Sequence, residues 1–275
     1  VNIISTDEIR ICNAGAFSGY KAMDRLPMID GARMLGPVMV SYSSVVPVAA
    51  KVINPDIDFN GKSINVFDIK IIKNISPEKM PESVYIDSTE AIPPIEIYNA
   101  LNRNVKYVNI NPDNPYYKSV DGVIYSSDLS YLIKCPSGRT GIFRMPNGVK
   151  TIGARAFMNA ALSTVVISDS VVDIEEYAFS GSDIERVIFG KNVSYIGENM
   201  FSNCLNLKDI KIPPQIKKIC REAFFAISPN TEIKLSEGIE EICSLAFRFN
   251  KEVKKLITLP SSIRKLGKLS LANVT

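Results

Sequence analysis

The chain lacks histidine and the common catalytic motifs, and these absences exclude several chemistries. None of the 275 residues is His, which rules out Ser-His-Asp and Cys-His catalysis and any His-ligated metal site. The sequence contains no glycine-rich phosphate loop, EF-hand or nucleophile elbow. We therefore predict no catalytic residue, no cofactor and no bound metal, and we do not expect an enzyme.

Five cysteines are the remaining candidates for metal or redox chemistry: Cys12, Cys135, Cys204, Cys220 and Cys243. No C-x-x-C pair occurs, so a structural zinc site is not expected. Cys220 and Cys243 occupy equivalent positions one repeat apart. Stacked coils would bring their Cα atoms to roughly 5 Å, which is within disulfide range. A disulfide and a pair of reduced, buried thiols are both compatible with this placement.

Two acidic pairs, Glu175-Glu176 and Glu240-Glu241, resemble the paired carboxylates of acid–base catalysis only in composition. Adjacent residues on an extended segment point to opposite faces, so neither pair forms a catalytic dyad by itself. We interpret them as solvated residues at the edges of repeats.

A repeat of 22 to 24 residues supplies the framework that positions these side chains. Aligning the chain on the pair Ala-Phe gives five copies of I-x-x-x-A-F, with Met in place of Ala in the third copy. The copies begin at Ile152, Ile174, Ile196, Ile219 and Ile242. Leu266 follows one step later, with Leu271 in the place of Phe, which indicates a decayed sixth copy.

Two further apolar rows share this period. One reads L-x-x-V-x-I, and such alternation is typical of a short strand with one buried face. Its clearest copies are Leu162, Val165 and Ile167; Ile184, Val187 and Phe189; and Leu207, Ile210 and Ile212. The other row precedes each repeat Ile by three residues and indicates a second short extended segment. One unit cannot bury its own apolar stripe, so we predict that the units stack and pair in parallel.

These residues resemble the BspA-like class of bacterial leucine-rich repeats, whose pattern reads V-x-x-I-G-x-x-A-F-x-x-C-x-x-L-x-x-V-x-I-P. The segment from Val193 to Ile216 carries nearly all of it, and the match extends from Val149 to about Leu266. The resemblance implies a repeat solenoid: a leucine-rich-repeat right-handed superhelix of short parallel β-strands with turns and short helical segments. In this pattern Cys204 takes the place of a small, buried cysteine.

Weaker copies extend towards the N terminus and divide the chain into three parts. Residues 147–275 are expected to hold regular units of 22 to 24 residues, and residues 61–146 to hold divergent units with a hairpin-like insertion near 117–135. Residues 1–60 are expected to form a degenerate N-terminal cap or irregular units, with a separate small domain as the alternative.

The insertion is predicted because residues 116–138 resemble a segment that is common in the BspA-like family. We expect one strand from Val120 to Tyr125 and another from Tyr131 to Ile133, joined by a turn at Ser127 and Asp128. Asp121-Gly122 reads as a turn rather than a site. Residues 142–146 align with a later repeat strand and are predicted to be one.

The outward face of the L-x-x-V-x-I strands is the surface on which we place any function, because solenoids commonly bind along extended concave surfaces. Val166 and Ile188 are apolar where solvent is expected and, with Arg186, are candidates to anchor a partner. The alternative is that β-branched residues merely suit a strand. The candidate ligand-binding residues are Thr164, Val166, Arg186, Ile188, Asp209, Lys211, Glu232, Lys234 and Thr258.

Charge and hydropathy narrow the class of partner. The net charge is +3 without a long basic run, which argues against nucleic acid. No apolar stretch reaches about 18 residues, so no membrane span is visible. The first residue is Val1 rather than Met, and we expect that a signal peptide or anchor has been removed. A monomer is favoured.

The leading hypothesis is a non-enzymatic binding or adhesion module that uses the exposed sheet face. The family resemblance implies an extracellular or cell-surface location and a protein or glycan ligand, including ligands of host origin. A structural spacer that presents another domain is the alternative. An enzyme with its site in residues 1–60 or at a domain junction is the third hypothesis.

Overall fold

A computed structural model describes residues 57–101, 104–248 and 257–272, together with the backbone of four short strands before residue 54. The chain divides into two compact units, Val1–Ile124 and Tyr125–Thr275. Both consist mainly of short strands, as predicted for a repeat solenoid. No helix in the described ranges is long and apolar enough to cross a membrane.

The first unit contains strands β1 to β8 and the start of β9. Its strands are β1 (Met28–Ile29), β2 (Ala32–Leu35), β3 (Val38–Met39), β4 (Val52–Ile53), β5 (Ser63–Val66), β6 (Ser83–Ile86), β7 (Tyr107–Ile110), β8 (Tyr117–Val120) and β9 (Val123–Ser126). The helical segments in the described residues of this unit are α1 (Pro94–Ala100) and two 3₁₀ segments, Ile69–Asn74 and Pro77–Lys79. Most of the predicted N-terminal cap, including Cys12, lies outside the described residues.

Strands β5, β6 and β7 are stacked copies of one extended segment and pair in parallel. Ile64, Val84 and Val108 occupy one register position and are fully buried. The next inward position holds Val66, Ile86 and Ile110, which are also buried. These strands therefore alternate buried and outward positions in the same way as the regular repeats. Between β6 and β7 the chain forms α1, with Pro94 at its first position, where proline needs no hydrogen-bond partner.

The described part of the second unit carries two rows of strands on opposite sides of the coils. One row consists of β10 (Tyr131–Lys134), β12 (Thr151–Ile152), β14 (Asp173–Ile174), β16 (Tyr195–Ile196), β18 (Lys218–Ile219), β20 (Glu241–Ile242) and β21 (Lys265–Leu266). The other consists of β11 (Gly141–Arg144), β13 (Leu162–Val166), β15 (Arg186–Ile188), β17 (Asp209–Ile212) and β19 (Glu232–Leu235). The strand predicted at 142–146 is confirmed as β11.

The parallel pairing predicted between repeats is confirmed in both rows. In the second row the ladder joins β11, β13 and β15, and a separate ladder joins β17 and β19. The first row is interrupted at the same coil, between β14 and β16. Residues 257–260 form no strand, so the second row does not extend to Thr258.

The turn that links the two rows carries the Phe of each repeat. Phe157, Phe179, Phe201, Phe224 and Phe247 are fully buried, and consecutive rings stack with centroids 5.0 to 5.4 Å apart. The preceding Ala or Met is also fully buried, as expected for a position directly above the core. The Phe column therefore forms a continuous stack through the second unit.

The chain changes direction in each turn at a residue with a left-handed backbone, and the I-x-x-x-A-F pattern does not specify its type. The residue two positions before each Phe has a left-handed backbone, with φ between 52° and 61° at Arg155, Tyr177, Asn199, Glu222 and Leu245. Most of these are not glycine or asparagine, so the conformation costs energy. Hydrogen bonds to the next coil offset this cost: the N–H of Tyr177, for example, donates to the Glu198 carbonyl at 3.1 Å.

The predicted turn at Ser127 and Asp128 is confirmed. The Asp128 carboxylate accepts hydrogen bonds from the Ser126 hydroxyl at 2.6 Å and the Ser130 amide at 3.1 Å, and these bonds lower the pKa of Asp128 to about 2. For the strand expected from Val120 to Tyr125, the predicted first residue is wrong. Asp121 and Gly122 form a left-handed turn, so β9 begins at Val123.

Replacing Phe179 with Ala should remove the centre of the Phe stack. Because Phe179 is fully buried between two stacked rings, the cavity should lower the free energy of unfolding by about 3 to 5 kcal/mol. Urea denaturation measures the change. Leu205→Ala, at a side chain that is 66% exposed, should change stability by less than about 0.5 kcal/mol. Equal losses in the two variants would contradict the stacked core.

Candidate functional site

The outward columns predicted from the repeat pattern lie on the second row of strands. Thr164 and Arg186 are register neighbours, as are Val166 and Ile188 on β13 and β15. On β17 and β19, Asp209 is paired with Glu232, and Lys211 with Lys234. The buried residues Val165, Val187, Ile210 and Ile212 lie between these positions. Thr258 is exposed but belongs to no strand, so the structure does not place it in this sheet.

A depression of about 390 Å³ lies on this face where the four strands β11, β13, β15 and β17 follow one another. We call it the face cleft. It is lined by Ile142, Arg144, Thr164, Val166, Glu185, Arg186, Ile188, Lys208 and Asp209. Five of the predicted ligand-binding residues are therefore brought together here, while Lys211, Glu232 and Lys234 continue the face beyond the cleft.

The centre of the face cleft is aliphatic. Ile142 is 60% exposed and Ile188 is 51% exposed, and Val166 lies half-buried between them on β13. Large aliphatic side chains exposed together on one face mark a candidate contact surface, because water is displaced favourably when they are covered. Isolated exposed residues would carry no such meaning.

Ion pairs border this aliphatic centre on the side of β15 and β17. Arg186 contacts Asp209 through two hydrogen bonds of 3.1 and 3.2 Å, which bridge β15 and β17, the two strands that share no ladder. Lys208 Nζ lies 2.8 Å from Glu185, one position before the same strands. Further along the face, Lys234 Nζ lies 3.2 Å from Glu232. All three pairs are substantially exposed to solvent, so each contributes little to stability.

Four lining residues were not among the predicted ones: Ile142, Arg144, Glu185 and Lys208. A signal for the first two existed in the sequence. Because Phe143 and Met145 align with Ile210 and Ile212, Ile142 and Arg144 fall in the same outward columns as Asp209 and Lys211. Glu185 and Lys208 precede the strands, and the alternation pattern alone does not place them on this face.

The cysteines carry no reactive thiol in the described part of the chain. Cys135 and Cys204 are buried. Cys220 and Cys243 lie on adjacent coils as free thiols and are not joined by a disulfide. Burial, reinforced by the neighbouring Cys243, raises the pKa of Cys220 to about 11, and burial also raises the pKa of Cys243. Both thiols are therefore protonated at neutral pH and are poor nucleophiles.

The acidic pairs have structural contacts rather than a shared site. Glu175 accepts hydrogen bonds from the Tyr131 hydroxyl at 2.8 Å and the Ala154 amide at 2.9 Å. Glu241 lies 2.7 Å from Lys265 and 3.2 Å from Lys218, and these two cations lower its pKa. Across the described ranges, no cluster of three or more Cys, Asp or Glu side chains could hold a metal ion.

Lys134 is the one strongly perturbed amine among the described residues. It is 2% exposed, and its ammonium group donates to the carbonyl of Met158 at 3.1 Å. Burial lowers the pKa of Lys134 to about 8. A buried amine of this kind can serve as a base or nucleophile, but Lys134 does not line the face cleft, and its contacts are to backbone carbonyls.

Replacing Lys134 with Met should stabilise the protein at pH 7. The folded-state pKa of about 8 lies below the ordinary value of 10.5, so below pH 8 folding carries the full penalty of burying the charge, roughly 3 kcal/mol. Between pH 8 and 10.5 only the unfolded chain retains the proton, so the wild-type protein gains stability as pH rises. Urea denaturation across this range measures it. A wild-type-minus-variant difference that does not change with pH would contradict this account.

A comparison with known protein families finds a match within the second unit. Residues 143–275 match the model for the BspA type leucine rich repeat region in six copies. These residues are a BspA type leucine-rich repeat region. Six is also the number of I-x-x-x-A-F copies in this range when the decayed copy at Leu266 is included. No protein with a curated function matches the sequence.

A solved bacterial leucine-rich repeat protein shares the fold of this chain. A leucine-rich repeat protein from Eubacterium ventriosum aligns with a TM-score of 0.53 at 19% identity, over 83% of this chain and 75% of that one. A leucine rich cell surface protein from Faecalibacterium prausnitzii aligns with a TM-score of 0.49 at 20% identity, over 82% of this chain. The alignment spans 59% of the length of the F. prausnitzii protein. At these identities the likeness concerns the fold alone.

Proposed function

We propose that this leucine-rich repeat protein is a non-enzymatic binding module, displayed at a bacterial cell surface, that holds another protein on the face cleft. The observation that carries the proposal is the exposed aliphatic centre formed by Ile142, Val166 and Ile188, with the ion pairs of β15 and β17 at its edge. An aliphatic centre within a polar rim is the usual anatomy of a protein–protein contact. The surface location is supported by the BspA type repeats of residues 143–275.

The composition of the face cleft favours a protein over a glycan. None of its nine lining residues has an aromatic ring. A sugar ring is commonly held by packing its C–H groups against the electron-rich face of an aromatic side chain, and that platform is missing here. Aliphatic side chains instead match those of a protein partner. Covering the exposed parts of Ile142, Val166 and Ile188 would contribute about 1 kcal/mol each.

Ile188→Asp should abolish ligand binding without unfolding the protein. A charge at the centre of the face cleft would have to be buried unpaired when a partner docks, which should weaken binding at least tenfold. The measurement is binding of the purified chain to an array of extracellular and cell-surface proteins, followed by titration of each positive protein. The matched control is Val172→Asp, because Val172 has the same exposed fraction of 51% and lies in the turn outside the cleft.

The outcomes separate the hypotheses. Array proteins that bind the wild-type chain and the Val172→Asp variant, but not the Ile188→Asp variant, would support the proposal. Binding only to a glycan array, or protein binding that Ile188→Asp leaves unchanged, would overturn it. No binding on either array would favour a structural spacer instead. Antibody labelling of intact cells that express the full-length product tests the surface location.

A further inference from the structure

We infer that the docking element of the partner is an amphipathic α-helix that lies across β11, β13, β15 and β17, with two apolar side chains between two carboxylates. This inference rests on the proposed function and specifies the chemistry of its ligand. It is derived from the charges that the outward face leaves unpaired and from the distance between successive coils.

Every acid on this part of the face already has a cation. Glu185, Asp209 and Glu232 are paired with Lys208, Arg186 and Lys234, respectively. Two further cations remain on the same face, Arg144 and Lys211. Both are exposed, and neither has an ion-pair or hydrogen-bond partner for its side chain among the described residues. The face therefore presents two uncompensated positive charges.

The two unpaired cations flank the aliphatic residues in a single outward column. Arg144 is the register neighbour of Val166, Val166 is the neighbour of Ile188, and Lys211 follows on the next coil. The column thus reads cation, apolar, apolar, cation. Lys211 also faces Lys234 directly across the β17–β19 ladder, and like charges in that position repel each other. A carboxylate bound at Lys211 would relieve this repulsion.

The spacing of the column selects the conformation of the ligand. Phe rings on successive coils are 5.0 to 5.4 Å apart, so three coil steps from Arg144 to Lys211 cover about 15 Å. One face of an α-helix presents side chains at i, i+4, i+7 and i+11, with a mean rise of about 5.5 Å per step and about 16.5 Å in total. An extended peptide presents same-face residues about 6.8 Å apart. This spacing exceeds the distance between coils, so its side chains no longer align with the column after two coils.

The probe that tests this inference is a fluorescein-labelled helical peptide of about 18 residues with Glu, Leu, Leu and Glu at positions i, i+4, i+7 and i+11. A second peptide carries Lys in place of both Glu residues. A third keeps the same two Glu and two Leu residues but carries prolines between them, which prevent a helix. Fluorescence anisotropy measures the affinity of each peptide for the chain.

The informative variant is the double charge reversal Arg144→Glu with Lys211→Glu. We expect the wild-type chain to prefer the acidic peptide over the lysine peptide by roughly tenfold, and the double variant to reverse this preference. The matched control, Lys150→Glu with Lys268→Glu, reverses two exposed cations that do not line the face cleft and should keep the wild-type preference. The proline peptide should bind more weakly than the helical peptide.

Each possible result bears on the inference. An unchanged preference in the double variant, or equal binding of the helical and proline peptides, would overturn it. The proposed function would still stand in that case if array proteins remained sensitive to Ile188→Asp. Array binding that does not depend on the face cleft would overturn the proposed function instead. The two failures are therefore distinguishable.

Discussion

Hydrogen bonds between successive Ala-Phe turns hold the coils of the second unit in register, and the other features of that unit depend on them. The N–H of Phe179 donates to the Met200 carbonyl at 3.0 Å, and the N–H of Phe201 donates to the Ala223 carbonyl at 2.8 Å. Because these bonds fix the turns one above the other, the Phe rings stack at a constant spacing. The same bonds hold the left-handed residues, such as Tyr177, in a conformation that a side chain disfavours.

These hydrogen bonds between turns, which we call the turn ladder, continue across a coil at which both rows of strands are interrupted. Both rows of strands break at the same coil, between β14 and β16 and between β15 and β17. The turn bonds continue across that coil, including Gly181 N–H to the Ser202 carbonyl at 2.8 Å. The break coincides with the face cleft, where the Arg186–Asp209 pair takes the place of ladder bonds. The repeat core can thus remain continuous while its outward face is opened for a ligand.

Much of this architecture could be predicted from the sequence because the buried positions hold apolar residues that recur with the period of the repeat. The rows at Ile152, Phe157 and Val165 recur wherever a side chain must fill the core, so period and register were readable. The left-handed turn residues were not: Arg155, Tyr177 and Glu222 have nothing in common as residue types, because bonds from the next coil impose their conformation. For helix α1, the only indication in the sequence is Pro94, a residue type that is common at the first position of a helix.

The face cleft was predictable only in part, for a related reason. Val166, Ile188 and Arg186 could be placed because alternation along a strand determines which side chains face outward. Ile142 and Arg144 belong to the same columns, but their repeat is too degenerate to stand out. Which cations remain unpaired depends on side-chain geometry between coils, such as the contact of Lys208 with Glu185, and no one-dimensional pattern encodes it.

Amide hydrogen exchange on the folded chain tests the dependence on the turn ladder most directly. If inter-coil bonds hold the repeats in register, the amides of Phe179, Phe201 and Phe224 should exchange at least about a thousandfold more slowly than in an unfolded chain, because they open only when coils separate. Exchange of these amides at near the unfolded-chain rate, in a protein that remains folded, would contradict the account.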